Sequence, residues 1–262
     1  MAFLYEKIDA LKESGTYAEL PLSVSKNLKQ SFELRPYQKD AFCNFITYFE
    51  SRLRQKPTQT LFHMATGSGK TLIMAGLMLH LYKQGYRNFL FFVHLSNIVK
   101  KTKENFLNPA SSKYLFAEEI NIGGERIKVK EVTNFQDVDE NAINICFSTI
   151  QGLHSDMFFV KENALSFDDF EGRKIVMVSD EAHHLNASTR KLTPSEEEDN
   201  KTWEYTVSRL FQSNPENVLL EFTATCDTEN REIKAKYENK IIFNYPLSVF
   251  REDKYSKEIM TF

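Results

Sequence analysis

The sequence predicts an α/β fold: a doubly wound, mainly parallel sheet flanked by helices. Three observations carry the prediction. Short apolar runs of strand length alternate with helical patterns from about residue 35 onward. Several runs, such as Asn88-Phe89-Leu90-Phe91-Phe92-Val93, are apolar without alternation, as strands covered on both faces are. A glycine-rich turn, Met64-Ala65-Thr66-Gly67-Ser68-Gly69-Lys70-Thr71, sits where an apolar strand hands over to an apolar helix.

Residues 1–33 read as an N-terminal extension of mixed helical signal, peripheral to a domain spanning 34–262. Pro36 suits a first helical position, and Tyr37, Ala41, Phe45, Ile46, Phe49 and Leu53 follow at helical spacing. The strand Thr60 to Met64 and a helix opening at Thr71 flank the glycine-rich turn. The strand at 88–93 and a helix over roughly 96–106 come next. Ile120, Ile122, Ile127 and Val129 alternate around Gly123-Gly124, the signature of a β-hairpin insertion. Residues 144–148, 174–178 and 217–222 are further buried strands. Residues 186–202 lack apolar periodicity and carry Ser195-Glu196-Glu197-Glu198-Asp199, so they read as a mobile loop.

Composition narrows the classes. The 262 residues, 42% of them hydrophobic, suffice for a sizeable core. A net charge of −3 excludes reading nucleic-acid binding from bulk charge, so any such surface must be local. Cys43, Cys146 and Cys226 are odd in number, far apart and without metal-ligand spacing, which fits buried thiols in a reducing cytoplasm. The N-terminus lacks the apolar stretch of a leader, and the longest apolar runs, near 72–79 and 89–93, are too short to span a bilayer. The expectation is a soluble, cytoplasmic protein without membrane contact.

The glycine-rich turn has the residues of a phosphate-gripping loop. Gly67 and Gly69 let backbone N–H groups converge at a helix N-terminus, so that Thr66 to Thr71 would surround phosphate oxygens. Lys70 would reach the outer phosphates of ATP, and the Thr71 hydroxyl would meet Mg²⁺. One position departs from the pattern, which wants Gly where Met64 stands. Hydrolysis also needs a carboxylate for the metal and one for the attacking water. Asp180 and Glu181, directly after an apolar strand, supply that pair, Asp180 toward Mg²⁺ and Glu181 toward water. His183-His184 lacks a third ligand for zinc.

With both motifs in place, the chain resembles the first RecA-like motor domain of superfamily 2 helicases and translocases. Asp180-Glu181-Ala182-His183 spells their DEAH signature, and Phe222-Thr223-Ala224-Thr225 matches the motif that follows it. The resemblance implies that His183, Thr223 and Thr225 couple the nucleotide site to nucleic acid. It also implies that Arg35 and Gln38, in Leu34-Arg35-Pro36-Tyr37-Gln38, sit at adenine, the Gln38 amide reading both edges of the base. His94, Lys100 and Lys101 after the 88–93 strand, and Thr149 and Gln151 after the 144–148 strand, fall at the family's backbone-contacting motifs. Lys103 lies in the same cluster.

The spellings around Met64–Thr71, Thr149–His154, Ser179–His184 and Leu220–Thr225, with Tyr245-Pro246-Leu247, more narrowly resemble the helicase (Res) subunits of type III restriction enzymes. That family tolerates Met at position 64. The resemblance implies duplex DNA as substrate, ATP-driven movement along it, and a DNA methyltransferase or specificity subunit as partner. It implies a second RecA-like domain, supplying arginines to the phosphates, and a nuclease domain, both outside this chain. The chain alone is then expected to bind ATP and to hydrolyse it weakly or not at all. Glu232-Ile233-Lys234 has the local spelling of a nuclease centre but reads as a helix start. Two other readings share the motifs: the lobe of an RNA or DNA-repair DExH helicase, and a binding module that holds nucleotide without hydrolysis.

Overall fold

The computed structural model describes residues 2–136, 138–159, 162–180 and 194–255. Eight strands among them form one sheet: β1 (Thr58–Met64), β2 (Asn88–Val93), β3 (Ile120–Ile122), β4 (Glu125–Glu131), β5 (Ala142–Thr149), β6 (Ile175–Ser179), β7 (Val218–Thr223) and β8 (Ile241–Tyr245). Their order is β3-β4-β5-β2-β6-β7-β1-β8, with each pair parallel except the β3–β4 hairpin. The doubly wound, mainly parallel class and the hairpin insertion are both present.

Strand periodicity divides the side chains between two faces. Phe89 and Phe91 of β2 join Val176 and Val178 of β6 and Phe222 of β7 in one core. Helices α3 (Pro36–Glu50), α4 (Lys70–Lys83) and α5 (Ser96–Leu107) cover that face. Leu90, Phe92, Ile175, Met177 and Leu219 point to the other, which α6 (Ile150–Phe158) and α7 (Pro194–Gln212) cover. A smaller cluster joins Leu61 and Ile241 to Ile233 and Tyr237 of α8 (Arg231–Tyr237). Helix α4 is buried from Leu72 to Tyr82, as an all-apolar helix must be. No helix among the described residues is long and apolar enough to cross a membrane.

Two elements differ from the sequence reading and a third agrees with it. The stretch read as a loop over 186–202 is helical from Pro194 onward. Its first turns carry the acidic run, and Trp203, Val207, Leu210 and Phe211, the residues at helical spacing, come only in its second half. Strand β8 lies beyond the last predicted strand and extends the sheet beside β1. Glu232-Ile233-Lys234 is on α8, capped by the Asn230 side chain accepting from Glu232 and Ile233 N–H, so the nuclease spelling sits on a helix as read.

The N-terminal extension is not peripheral. Helix α1 (Leu4–Glu13) and the short α2 (Leu22–Ser25) put Leu4, Ile8, Val24 and Leu28 into the main core. Leu4 N–H donates to the Glu238 carbonyl at 2.8 Å, and Lys7 Nζ to Asn239 Oδ1 at 2.8 Å, so α1 docks beside β8. Asn27 reaches the opposite edge, donating to the Asn121 carbonyl at 2.9 Å and accepting from the Asn121 N–H at 2.7 Å.

Candidate nucleotide site and its nucleic-acid flank

The parallel strands deliver the predicted residues to one end of the sheet. β1 ends at Met64, β6 at Ser179, and β7 runs between them with His63 opposite Thr223 and Ser179 opposite Glu221. The loop after β1 and Asp180 after β6 therefore emerge two strands apart, about 10 Å at ordinary strand spacing. Such a crevice at the carboxyl ends of strands is where doubly wound sheets bind ligands. Glu181 and His183 lie outside the described residues, as does His184.

The loop has the backbone its sequence demands. Gly67 and Gly69 adopt φ of +80° and +93°, in the left-handed region that side chains disfavour. A Cβ on Gly69 would meet Gln38 Nε2 at 2.5 Å. Lys70 starts α4 and its Nζ donates to the Met64 and Ala65 carbonyls, each at 3.3 Å. Ser68 Oγ is buried with no hydrogen-bond partner among the described residues, a polar atom suited to an incoming oxygen. Thr71 is half-buried in the first turn of α4. Met64, the departure from the loop pattern, is fully buried in the main core, so its side chain packs there at the end of β1. Positive-φ glycines, the lysine, the orphaned hydroxyl and the neighbouring carboxylate together suit a nucleotide phosphate with Mg²⁺.

Gln38 is tied to this loop. Its Nε2 donates to the Ser68 carbonyl at 2.9 Å, and its Oε1 accepts the Arg35 N–H at 3.0 Å. The amide therefore has one N–H and one acceptor lone pair left for a base, rather than both groups whole. Arg35 places its guanidinium 4.7 Å from the centre of the Tyr255 ring. Two residues of this region were not read as site residues from the sequence. The Tyr37 hydroxyl donates to the same Ser68 carbonyl at 2.8 Å, and its ring stacks on Tyr245 at 4.4 Å. His63, one residue before the loop, has Nδ1 2.7 Å from Asn244 Oδ1 and a hydrogen bond to the backbone at Ala224. Burial holds its pKa below the usual range, with the Lys70 ammonium adding to the effect.

The residues read as nucleic-acid contacts divide. β2 and β5 are neighbours with Val93 opposite Thr149, so the residues that follow emerge side by side. Gln151 Nε2 lies 3.3 Å from His94 Nδ1, and the Trp203 ring of α7 lies 5.5 Å from that of His94. Thr149 caps α6, its hydroxyl oxygen accepting the Gly152 N–H at 3.0 Å, a structural duty beside the predicted one. Lys100 and Lys101 are exposed on α5. Lys103 instead forms an ion pair with Glu131 and lies over the Phe147 ring, which takes it out of the exposed cluster. Thr223 donates its hydroxyl to the Thr225 carbonyl at 2.8 Å and accepts the Thr225 N–H at 3.1 Å, so the Thr-Ala-Thr segment is a tight hydroxyl-closed turn.

A mainly parallel sheet, a phosphate loop at the end of one strand and an aspartate at the end of another define a P-loop nucleotide-binding domain of the helicase class. The family model "Type III restriction enzyme, res subunit" matches residues 31–228, and the chain belongs to that family. It is 39% identical over 272 aligned residues to the Haemophilus influenzae protein named "Probable type III restriction-modification enzyme HindVIP Res subunit". That alignment takes in 94% of this chain and 52% of the relative, so the chain spans about half the relative's length. Solved structures align more loosely. The DNA-bound Type ISP restriction-modification enzyme LlaBIII gives a TM-score of 0.48 at 16% identity, over 85% of this chain and 16% of that one. The UvsW helicase of bacteriophage T4 gives 0.45 at 16% identity, over 80% and 60%.

Proposed function

We propose that this chain is the ATP-binding motor domain of a type III restriction-modification system, which in the complete enzyme couples ATP hydrolysis to movement along duplex DNA. The observation that carries the reading is the arrival of the Lys70 loop and Asp180 at one end of the sheet, beside the adjoining His94–Gln151 pair. Lys70 binds the outer phosphates once it leaves the Met64 and Ala65 carbonyls, and the Ser68 hydroxyl and loop N–H groups take phosphate oxygens. Thr71 and Asp180 hold Mg²⁺, which when bound offsets negative charge on the phosphates. Glu181 orients the attacking water, and His183 answers to the turn at Thr223 and Thr225. Lys100, Lys101, His94 and Gln151 contact the DNA backbone, with Thr149 adding its O–H.

A second motor lobe supplies the arginines that stabilise charge at the reacting phosphate, so this chain alone binds ATP and turns it over weakly or not at all. A DNA methyltransferase or specificity subunit is the partner, and the enzyme works in the cytoplasm. The test is equilibrium binding of a non-hydrolysable ATP analogue with Mg²⁺ to the chain and to Lys70→Ala, followed by ATP hydrolysis with and without duplex DNA. Loss of the Lys70 charge-assisted contacts should weaken binding by roughly tenfold or more. Equal affinities for the two proteins would sink the nucleotide reading. Vigorous DNA-stimulated hydrolysis by the isolated chain would remove the need for a second lobe.

A further inference from the structure

We infer that Tyr255 is a positioning residue of the nucleotide site: with Tyr37 it holds the Arg35 guanidinium in place, and the open side of that guanidinium takes the purine base. The inference rests on the nucleotide reading above and gives its base end a platform. Arg35 is exposed at the start of α3, and among the described residues its guanidinium has no carboxylate partner. It is fixed all the same. Its Nη1 donates to the Tyr37 hydroxyl at 3.3 Å, and its Cζ lies 4.7 Å from the centre of the Tyr255 ring. Holding a long side chain costs rotamer freedom, so an exposed arginine held without a counter-charge is a group prepared for a ligand.

Tyr255 reaches Arg35 because the chain doubles back after α9 (Leu247–Glu252). Lys254 adopts φ of +60°, in the left-handed region that a lysine disfavours, and the Tyr255 N–H then donates to the Phe250 carbonyl at 3.2 Å. The ring lands against Tyr37, 5.2 Å between centres, and against Phe250, 6.0 Å. Tyr37 is itself stacked on Tyr245, and its hydroxyl donates to the Ser68 carbonyl, the same oxygen that accepts from Gln38. Platform and amide are thus both braced from the phosphate loop, which fixes the spacing between base and phosphates. A guanidinium stacks on a π-system by its face. With Tyr255 on one side of Arg35, a base on the other completes a sandwich, and Gln38 meets the edge of that base. A phosphate would need the N–H edge instead, part of which Tyr37 already occupies.

The native chain, Tyr255→Leu, Tyr255→Phe and Arg35→Lys are titrated by calorimetry with the non-hydrolysable ATP analogue and, separately, with inorganic tripolyphosphate, each with Mg²⁺. Leucine keeps the bulk against Phe250 and Tyr37 but has no π face; phenylalanine keeps the face and loses only the hydroxyl. The expected result is an affinity for the analogue lowered roughly fivefold or more in Tyr255→Leu and Arg35→Lys, with tripolyphosphate within about twofold of native throughout. Tyr255→Phe should match the native chain on both ligands. Combining Tyr255→Leu with Arg35→Lys should cost no more than either alone, because Tyr255 acts through Arg35. Analogue affinity unchanged in Tyr255→Leu, an equal loss for both ligands, or full additivity of the two substitutions overturns the inference. A native chain that binds tripolyphosphate as tightly as the analogue also overturns it and leaves the phosphate reading standing; one that binds neither removes both. If Tyr255→Leu does not fold, the Arg35 Nε–Hε resonance of the native chain, assigned by its loss in Arg35→Lys, decides the matter. It must shift on adding the analogue and not on adding tripolyphosphate; any other response overturns the inference.

Discussion

Deep in α4, His80 is buried with neither ring nitrogen hydrogen-bonded among the described residues, its ring edge-on to Phe45 and Phe49. Burial lowers its pKa from 6.5 to about 4. The native state therefore holds the ring neutral where the unfolded chain would protonate it. Its stability contribution is complete above pH 6.5 and falls as pH drops toward about 4, by roughly 3 kcal/mol in all. His80→Leu should flatten the pH dependence of urea unfolding between those limits; a slope unchanged by the substitution would refute the assignment. Such a residue was illegible in the sequence, because apolar neighbours in a helix do not announce an imidazole without partners. The site residues were legible to the extent that spelling dictates backbone: Gly67 and Gly69 have the positive φ that their motif requires. Gln38 was named only through the family resemblance, and its bond to Ser68 was not legible, since it depends on where α3 meets the loop, a tertiary fact.

At the scale of elements, α3 and α4 approach closely at Gly76. A Cβ there would lie 2.4 Å from the Phe42 ring and 3.1 Å from Val24. Alanine normally favours a helix over glycine by about 1 kcal/mol. Here overpacking, which costs about 1–3 kcal/mol, should win. Gly76→Ala should lower Tm, and a variant more stable than the native chain would show that Phe42 can move aside. The same elements show why strands were read more reliably than the edges of the domain. β2, β6 and β7 are central, so both of their faces must be apolar and the run is conspicuous. β8 is an edge strand of five residues following a short helix, with less pattern to read. Helix α7 escaped for the opposite reason, since only its second half carries the apolar spacing that marks a helix.

The whole molecule is held across its width by its first residues. Ile8 is fully buried in the main core on a helix docked beside β8, while Asn27 occupies the exposed backbone of β3 at the other edge of the sheet. Ile8→Ala should destabilise the chain by about 2–5 kcal/mol. It should also speed hydrogen exchange of the β8 amides more than those of β5; uniform exchange rates would show that α1 does not protect that edge. Neither contact was visible as a pairing in the sequence, because more than 230 positions separate Leu4 from its partner Glu238. That separation bears on how the protein is made. During synthesis the α1 segment leaves the ribosome before every strand of the sheet, yet its docking partner is translated after all of them but β8. Helix α1 can meet α3 early, through Lys12 and Asp40, but its docking beside β8 waits until nearly all of the domain has emerged. A ribosome stalled before residue 238 should carry a nascent chain that proteases cut readily at its N-terminal segment.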